Sequence, residues 1–254
     1  MSSDLAKQYH SITFDGEKNT YDSWFLIPSS RPFIAPPQQK VETVSKAGAH
    51  GVIDLSEVLT GEPVFENRTG SLEFYVENDH RPWHVTYTMV MNYLNGRVRH
   101  AIFDDDPSYY YEGRFRVNQF KSDKWWSVIT IDYDVFPFKY ELIRSDEDWL
   151  WDPFNFYTGV IRNYSGITMA SGNQRTIIGS PLRVIPIFRV GSITSGTPHI
   201  RYYDDPSSSL YVDHALSVGD NVFADIIVGD GEHKISVAGG TVSNMSVIFR
   251  GGML

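Results

Sequence analysis

Large apolar and polar side chains alternate along most of this chain, and alternation with a period of two predicts strands buried on one face. The pattern appears in HSITF (10–14) and SWFLI (23–27), joined by the polar turn Asp15-Gly16-Glu17-Lys18-Asn19 as a hairpin with a longer loop. It returns in SLEFYV (71–76), then at 98–103, 109–117 and 125–135, with the polar turns DDDPS and NQFKSDK between the last three. One stretch has a different period. Across 82–95, Trp83, Tyr87, Val90 and Leu94 recur every three or four residues, which predicts a helix with one apolar face packed on a sheet. Asn78 or Asp79 is placed to cap it, Pro82 suits its first turn, and Asn95-Gly96 ends it.

The second half gives a regular series of short strands at 174–178, 182–190, 199–203, 210–212, 222–228, 234–237 and 245–249, with glycine-rich turns between them. Strands spaced roughly 8 to 12 residues apart predict a jelly-roll β-sandwich. A shift in composition over 137–151, with the acidic run Asp146-Glu147-Asp148, sets a domain boundary near Ile143 and divides the chain into 1–143 and 144–254.

Two segments of the first half break the alternation. From 30 to 48, Pro32, Pro36 and Pro37 disfavour a central strand, and Val41, Thr43 and Ser45 then alternate. The residues fit a projecting hairpin arm or an ordinary surface loop. The stretch 51–68 reads as a corner between strands: Gly51 and Gly61 take positive φ without a Cβ penalty, and Pro63 fixes its own φ. Asp54, Ser56 and Glu57 suit a single capped turn, with Val52, Ile53, Leu55, Val58 and Leu59 as apolar anchors. Asn67 and Arg68 end the stretch with groups that need planar partners, a carboxylate being the natural one for Arg68.

Composition narrows the function classes. Aromatics at 14 % with frequent Gly and Pro favour a mainly β protein, and 254 residues suffice for two cores. With no cysteine, disulfides, thiolate metal sites and thiol nucleophiles are excluded, and assembly in a reducing cytoplasm is suited. A net charge of -9 argues against a dedicated nucleic-acid binder. MSSDLAKQYH lacks the apolar core of a signal peptide, and no run of about 18 apolar residues occurs, so a soluble protein that is not Sec-exported is expected.

Motifs for catalysis are missing. Asp104-Asp105-Asp106 lacks the glycine and glutamate of an EF-hand loop and reads as a solvated turn, as does Asp204-Asp205. No Gly-x-Ser-x-Gly, His-Glu-x-x-His or P-loop occurs. The expectation is therefore a non-enzyme that folds without a metal or other cofactor.

The order glycine, Asp54-Leu55-Ser56, Leu59-Thr60-Gly61, Pro63, Phe65, Asn67-Arg68, followed by SLEFYV, resembles the distal tail protein (Dit) family of long-tailed bacteriophages, mainly those of Gram-positive hosts. The opening ITFDG (12–16) with Asp22-Ser23-Trp24 and the ending VIFRGGML (247–254) are similar to that family as well. The resemblance implies an N-terminal ring-forming β-sandwich or tube-type domain with one α-helix and a projecting arm that embraces the next subunit, and a C-terminal galectin-like jelly roll. It implies a virion structural protein, synthesised in the host cytoplasm and placed at the tail tip. There a hexameric ring would join the tail tube protein to a hub, fibre or receptor-binding protein, with DNA passing through a neutral or acidic channel and no membrane partner. Arg31, Pro32, Phe33, Pro36, Pro37, Val41 and Arg68 are then the interface residues, and Gly51, Asp54, Leu55, Gly61 and Asn67 the corner that braces the root of the arm. A carbohydrate-binding β-sandwich is the alternative, with Trp149, Trp151, Tyr202, Tyr203 and Tyr211 as stacking residues, although the galectin pattern His-x-Asn-x-Arg is missing.

Overall fold

A computed structural model describes residues 3–48, 50–76, 81–123, 126–152, 154–157 and 159–254. The fold is mainly β and divides into two compact units, one of 1–106 with 110–139 and residue 254, the other of 107–109 with 140–253. The expected helix caps Asn78 and Asp79, and Trp125 of an expected strand, lie outside the described residues.

Unit 1 runs α1 (Asp4–Gln8), β1 (Ile12–Phe14), β2 (Lys18–Asn19), α2 (Thr20–Trp24), β3 (Leu26–Pro28), β4 (Thr43–Val44), β5 (Ile53–Asp54), β6 (Arg68–Val76), α3 (Trp83–Leu94), β7 (Val98–Phe103), β8 (Tyr109–Ser122) and β9 (Ser127–Val135). Its antiparallel sheet has the order β2-β1-β7-β8-β9-β6-β3. Alternation does what it predicted in β6 and β9: Leu72, Phe74, Val76, Ile129, Ile131, Tyr133 and Val135 turn inward onto Phe14, Trp24 and Phe115. Helix α3 covers this core with Val90 and Leu94 and ends on Asn95 and Gly96, both at positive φ.

The expected single helix is joined by two short ones. SWFLI is not one strand: Asn19 Oδ1 accepts from the N–H groups of Tyr21 and Asp22, which caps α2 through Trp24, and Phe25 at φ 55° reverses the chain into β3. A side-chain cap thus overrides the alternation, and the hairpin partner of β1 becomes β2.

Unit 2 contains β10 (Lys139–Glu141, its last two residues), β11 (Ile167–Met169), β12 (Gln174–Ile178), β13 (Ile187–Tyr203), β14 (Val212–Ala215), β15 (Gly219–Val222), β16 (Glu232–Ile248) and β17 (Gly252–Met253). Four of the expected strands fuse into two. Strands β13 and β16, each of 17 residues, pair along their whole length, and the glycines read as turns are bends inside them. Register shifts fall between Ile193 and Ser195 and between Gly196 and His199, each leaving one extra residue on β13, the geometry of a bulge. Gly196 and Gly239 both have positive φ there, and a Cβ on Gly196 would overlap the Gly239 carbonyl. The bend brings Phe188 and Val190 from one half of the ribbon and Ile200 and Tyr202 from the other into a single core. A second fastening closes the unit: buried Arg162 pairs with Glu141 at 2.5 Å and donates to the carbonyls of Ile178 and Gly179, while Arg250 donates to the carbonyls of Glu141 and Leu142.

Candidate functional site

The arm is the part of unit 1 in which the chain leaves its core. It is a ribbon of two limbs, and the stretch read as a corner bracing its root is instead its second limb. Near the root Gln39 bridges Phe65, with Lys40 N–H on the Val64 carbonyl at 2.8 Å and Glu66 N–H on the Gln38 carbonyl at 2.7 Å. Farther out Thr43 pairs with Asp54 and Val44 with Ile53. The first limb crosses from one register to the other in a few residues, whereas the second carries extra residues that loop out. Val58 N–H reaches the Leu55 carbonyl and Gly61 N–H the Glu57 carbonyl, the single turn expected there. Asp54 starts that turn by accepting from the N–H and Oγ of Ser56, which holds its carboxyl below the usual range. Gly51 and Gly61 have φ of 76° and 73°, where glycine is the unstrained residue.

The apolar residues of this turn are not anchors. Leu59 is 97 % exposed, and Val41, Val44, Val52, Ile53, Leu55 and Val58 are between 38 and 70 % exposed. A short two-stranded ribbon has no interior. Seven aliphatic side chains on it form an apolar surface of the kind that marks a contact with another molecule.

The root, by contrast, is fixed. Arg68 is 5 % exposed, and no carboxylate pairs with it among the described residues. Its Nε donates to the Pro137 carbonyl at 2.6 Å and Nη1 to the Ala35 carbonyl at 3.4 Å, while its guanidinium lies 5.5 Å from the centre of the Tyr111 ring and Nη2 has no hydrogen-bond partner. Burial pushes the Arg68 pKa down, and Tyr111 and Tyr133 oppose that shift. Tyr133 Oη accepts from the Ala35 N–H at 3.0 Å, so Ala35 is held through both of its peptide groups. On the returning limb Asn67 Nδ2 donates to Asp134 at 2.8 Å, and Phe65 meets Phe138 edge to face. Among the expected interface residues, Phe33, Pro36 and Val41 are exposed and Pro37 is half-buried. Pro32 is buried in its own unit, Arg31 pairs with Asp105 of the same chain at 2.9 Å, and Arg68 is internal. Sequence reasoning missed Ala35 and Tyr133 at the root. Tyr133 carried a signal, since its place in the alternation of β9 turns it inward.

Asp104, Asp105 and Asp106 point to three different partners: Ser11 Oγ, His10 with Arg31, and Lys139. They share no centre. The expected stacking residues fall into two groups within unit 2. Tyr202 is 3 % exposed and serves as core. Tyr203 and Tyr211 lie 5.4 Å apart, with Tyr211 exposed. Trp149 and Trp151 belong to an aromatic ladder with Phe154 and Phe156, in which successive rings are 5.1 to 5.6 Å apart and Trp151 and Phe156 are mostly exposed. No described helix is long and apolar enough to cross a membrane.

Comparison with the profiles of known families and with curated protein sequences gives no match. Among solved structures, the crystal structure of the Dit protein (gp 19.1) of phage SPP1 is similar over 96 % of this chain and 99 % of that one, with a TM-score of 0.59 and 13 % identity. That protein is described as a paradigm of the hub adsorption apparatus in phages infecting Gram-positive bacteria. The chain has the fold of a Dit hub protein.

Proposed function

We propose that this protein is the distal hub of a phage tail, where unit 1 forms a hexameric ring between the tail tube and the host-adhesion apparatus, and that the arm is the clasp between neighbouring subunits. One observation carries the reading: a ribbon with a fixed root and an exposed aliphatic surface, in a fold shared with a hub protein. Full burial of an aliphatic side chain contributes about 1.5–3 kcal/mol, so a few such residues against a neighbour supply a useful share of an interface. Contacts that repeat by rotation close into a ring. The arm thus gives each subunit a heterologous contact with the next, without a cofactor. DNA passes through the ring, and the overall charge of -9 suits a wall that does not hold phosphates. The aromatic ladder around Trp151, with the exposed Asp148 and Asp152 next to it in the sequence, is the surface we assign to the adhesion partner.

Light scattering coupled to size exclusion tests the ring. The full chain is expected at six times the 28.9 kDa mass of one copy. A variant with 39–65 replaced by a short Gly-Asn turn is expected to be monomeric with unit 1 still folded, because Gln38 and Glu66 already sit side by side. A full chain that stays monomeric at high concentration overturns the reading.

A further inference from the structure

Unit 2 has a cavity of about 340 Å³ where β13 ends in the loop 204–211, and its walls include Arg183, Asp204, Leu210, Tyr211, Asp225 and Ile227. Its floor is rigid. Tyr202 Oη donates to the Ile227 carbonyl at 2.5 Å, and burial raises the Tyr202 pKa and keeps the phenol neutral. His233, 4 % exposed, places Nδ1 2.9 Å from both Tyr202 Oη and the Asp204 carbonyl, and Nε2 3.2 Å from the Gly229 carbonyl. The loop above is pinned as well: Asp205 accepts from the N–H and Oγ of Ser207, and Lys234 Nζ donates to the Pro206 carbonyl at 2.6 Å. A site held this way loses little conformational freedom when a ligand enters.

The walls present three kinds of group. Tyr211 offers an exposed ring backed by the Arg201 guanidinium, 4.8 Å from the ring centre, and by Tyr203. Asp225 is aimed by His214, whose Nε2 lies 2.8 and 2.9 Å from its two oxygens and whose ring stacks on Phe223 at 4.2 Å. The Asp204 side chain is 87 % exposed. Arg183, its stem packed over Gly229, adds a guanidinium to the same cavity. Ionised carboxylates only accept hydrogen bonds and a guanidinium only donates them, so a matching ligand must do both at close spacing. A simple cation is disfavoured by Arg183, and an anion by the two aspartates. The exposed ring further requires a flat apolar patch. A pyranose has all three features: vicinal hydroxyls that donate and accept, and a face of C–H groups.

We propose that this cavity binds one pyranose residue of a glycan, with the sugar face on Tyr211 and adjacent hydroxyls on Asp204 and Asp225. The volume lies at the small end of the range of about 300–1,000 Å³ for small-molecule sites, which suits one ring. The proposal is independent of the ring and differs from a galectin site, since it uses the loop end of the sheet and no His-x-Asn-x-Arg motif.

Saturation-transfer NMR on the full chain with the methyl glycosides of glucose, galactose, mannose and N-acetylglucosamine tests it. Transfer to at least one sugar is expected. Tyr211→Ala and Asp225→Asn should each weaken it about tenfold, Tyr211→Phe should keep it, and Trp151→Ala should leave it unchanged, with equal melting temperatures showing that the variants are folded. Absence of transfer to all four sugars overturns the proposal. So does transfer that survives Tyr211→Ala but is lost in Trp151→Ala, which would move the sugar to the aromatic ladder.

Discussion

Two antiparallel ribbons in this molecule are built from the same kinds of residue and end in opposite states. The β13–β16 ribbon bends at Gly196 and Gly239, and Phe188, Val190, Ile200 and Val237 are then 0 to 1 % exposed. The arm ribbon keeps its glycines at the tip and in the side loop, and its valines, isoleucine and leucines stay in water. The difference shows that β-propensity makes a ribbon while a bend decides whether it can enclose a core. A ribbon that does not fold over itself leaves its apolar side chains open to another molecule.

The sharpest way to break this contrast is to empty the self-enclosed ribbon. Phe188→Ala should cost about 3–5 kcal/mol, read as an earlier chemical-denaturation midpoint for unit 2, with oligomeric state unchanged if the arm alone holds the ring. At the root of the arm, Arg68→Ala leaves the Pro137 and Ala35 carbonyls without their donor, and the loss should be about 1–3 kcal/mol. Faster hydrogen exchange confined to 33–40 and 64–70 would mark it as local. On the arm itself, the double variant Ile53→Ser and Leu59→Ser should change monomer stability by less than about 0.5 kcal/mol per site, yet lower the mass found by light scattering. An arm variant that unfolds unit 1 would show that these side chains belong to the core after all.

Acid offers a milder test. Burial raises the Asp15 pKa, but the His100 N–H, Arg99 and Tyr93 outweigh it, so the carboxyl lies below its usual range. A depressed folded pKa adds stability that is present above the unfolded value of about 3.9 and is lost as the pH falls through the folded one. Unit 1 should therefore loosen at the β1–β7 edge only in strong acid, and Asp15→Asn should flatten that limb of a melting-temperature profile. The contacts of Arg68 itself go to the Pro137 and Ala35 carbonyls, which do not titrate, and should not respond in the same range.

How far the sequence reached follows from the range of each interaction. The strands β6, β7, β9 and β12 and the helix α3 were readable because their signals lie within a few residues. The strand assigned to SWFLI failed because one cap at Asn19 outweighs the alternation after it, and an Asn before Thr-Tyr-Asp was the available clue. Gly191-Ser192 and Gly239-Gly240 read as turns yet lie inside β13 and β16, because sequence does not say whether a glycine ends a strand or bends it; only the partner strand decides. The arm was legible as a departure from the sheet, but its second limb was not, since pairing Gln39 with Phe65 is a fact of register. The cavity was out of reach for the same reason. Asp204 and Asp225 line one cavity because two loops converge, while Tyr211 stands out by its chemistry alone.

The fastening of unit 2 also sets a clock. Ser145 donates to the Val247 carbonyl and Arg250 reaches back to Glu141 and Leu142, contacts that span 102 to 109 residues. At about 5–20 residues per second, a ribosome needs roughly 5–20 s after making residue 145 before these partners exist. Unit 1 and its arm, encoded almost wholly before residue 140, have that interval to fold while Glu141, Leu142 and Ser145 wait for these C-terminal partners. If the arm is the clasp proposed above, it is complete before the rest of the subunit is finished, and neighbouring chains on one message have time to meet through it.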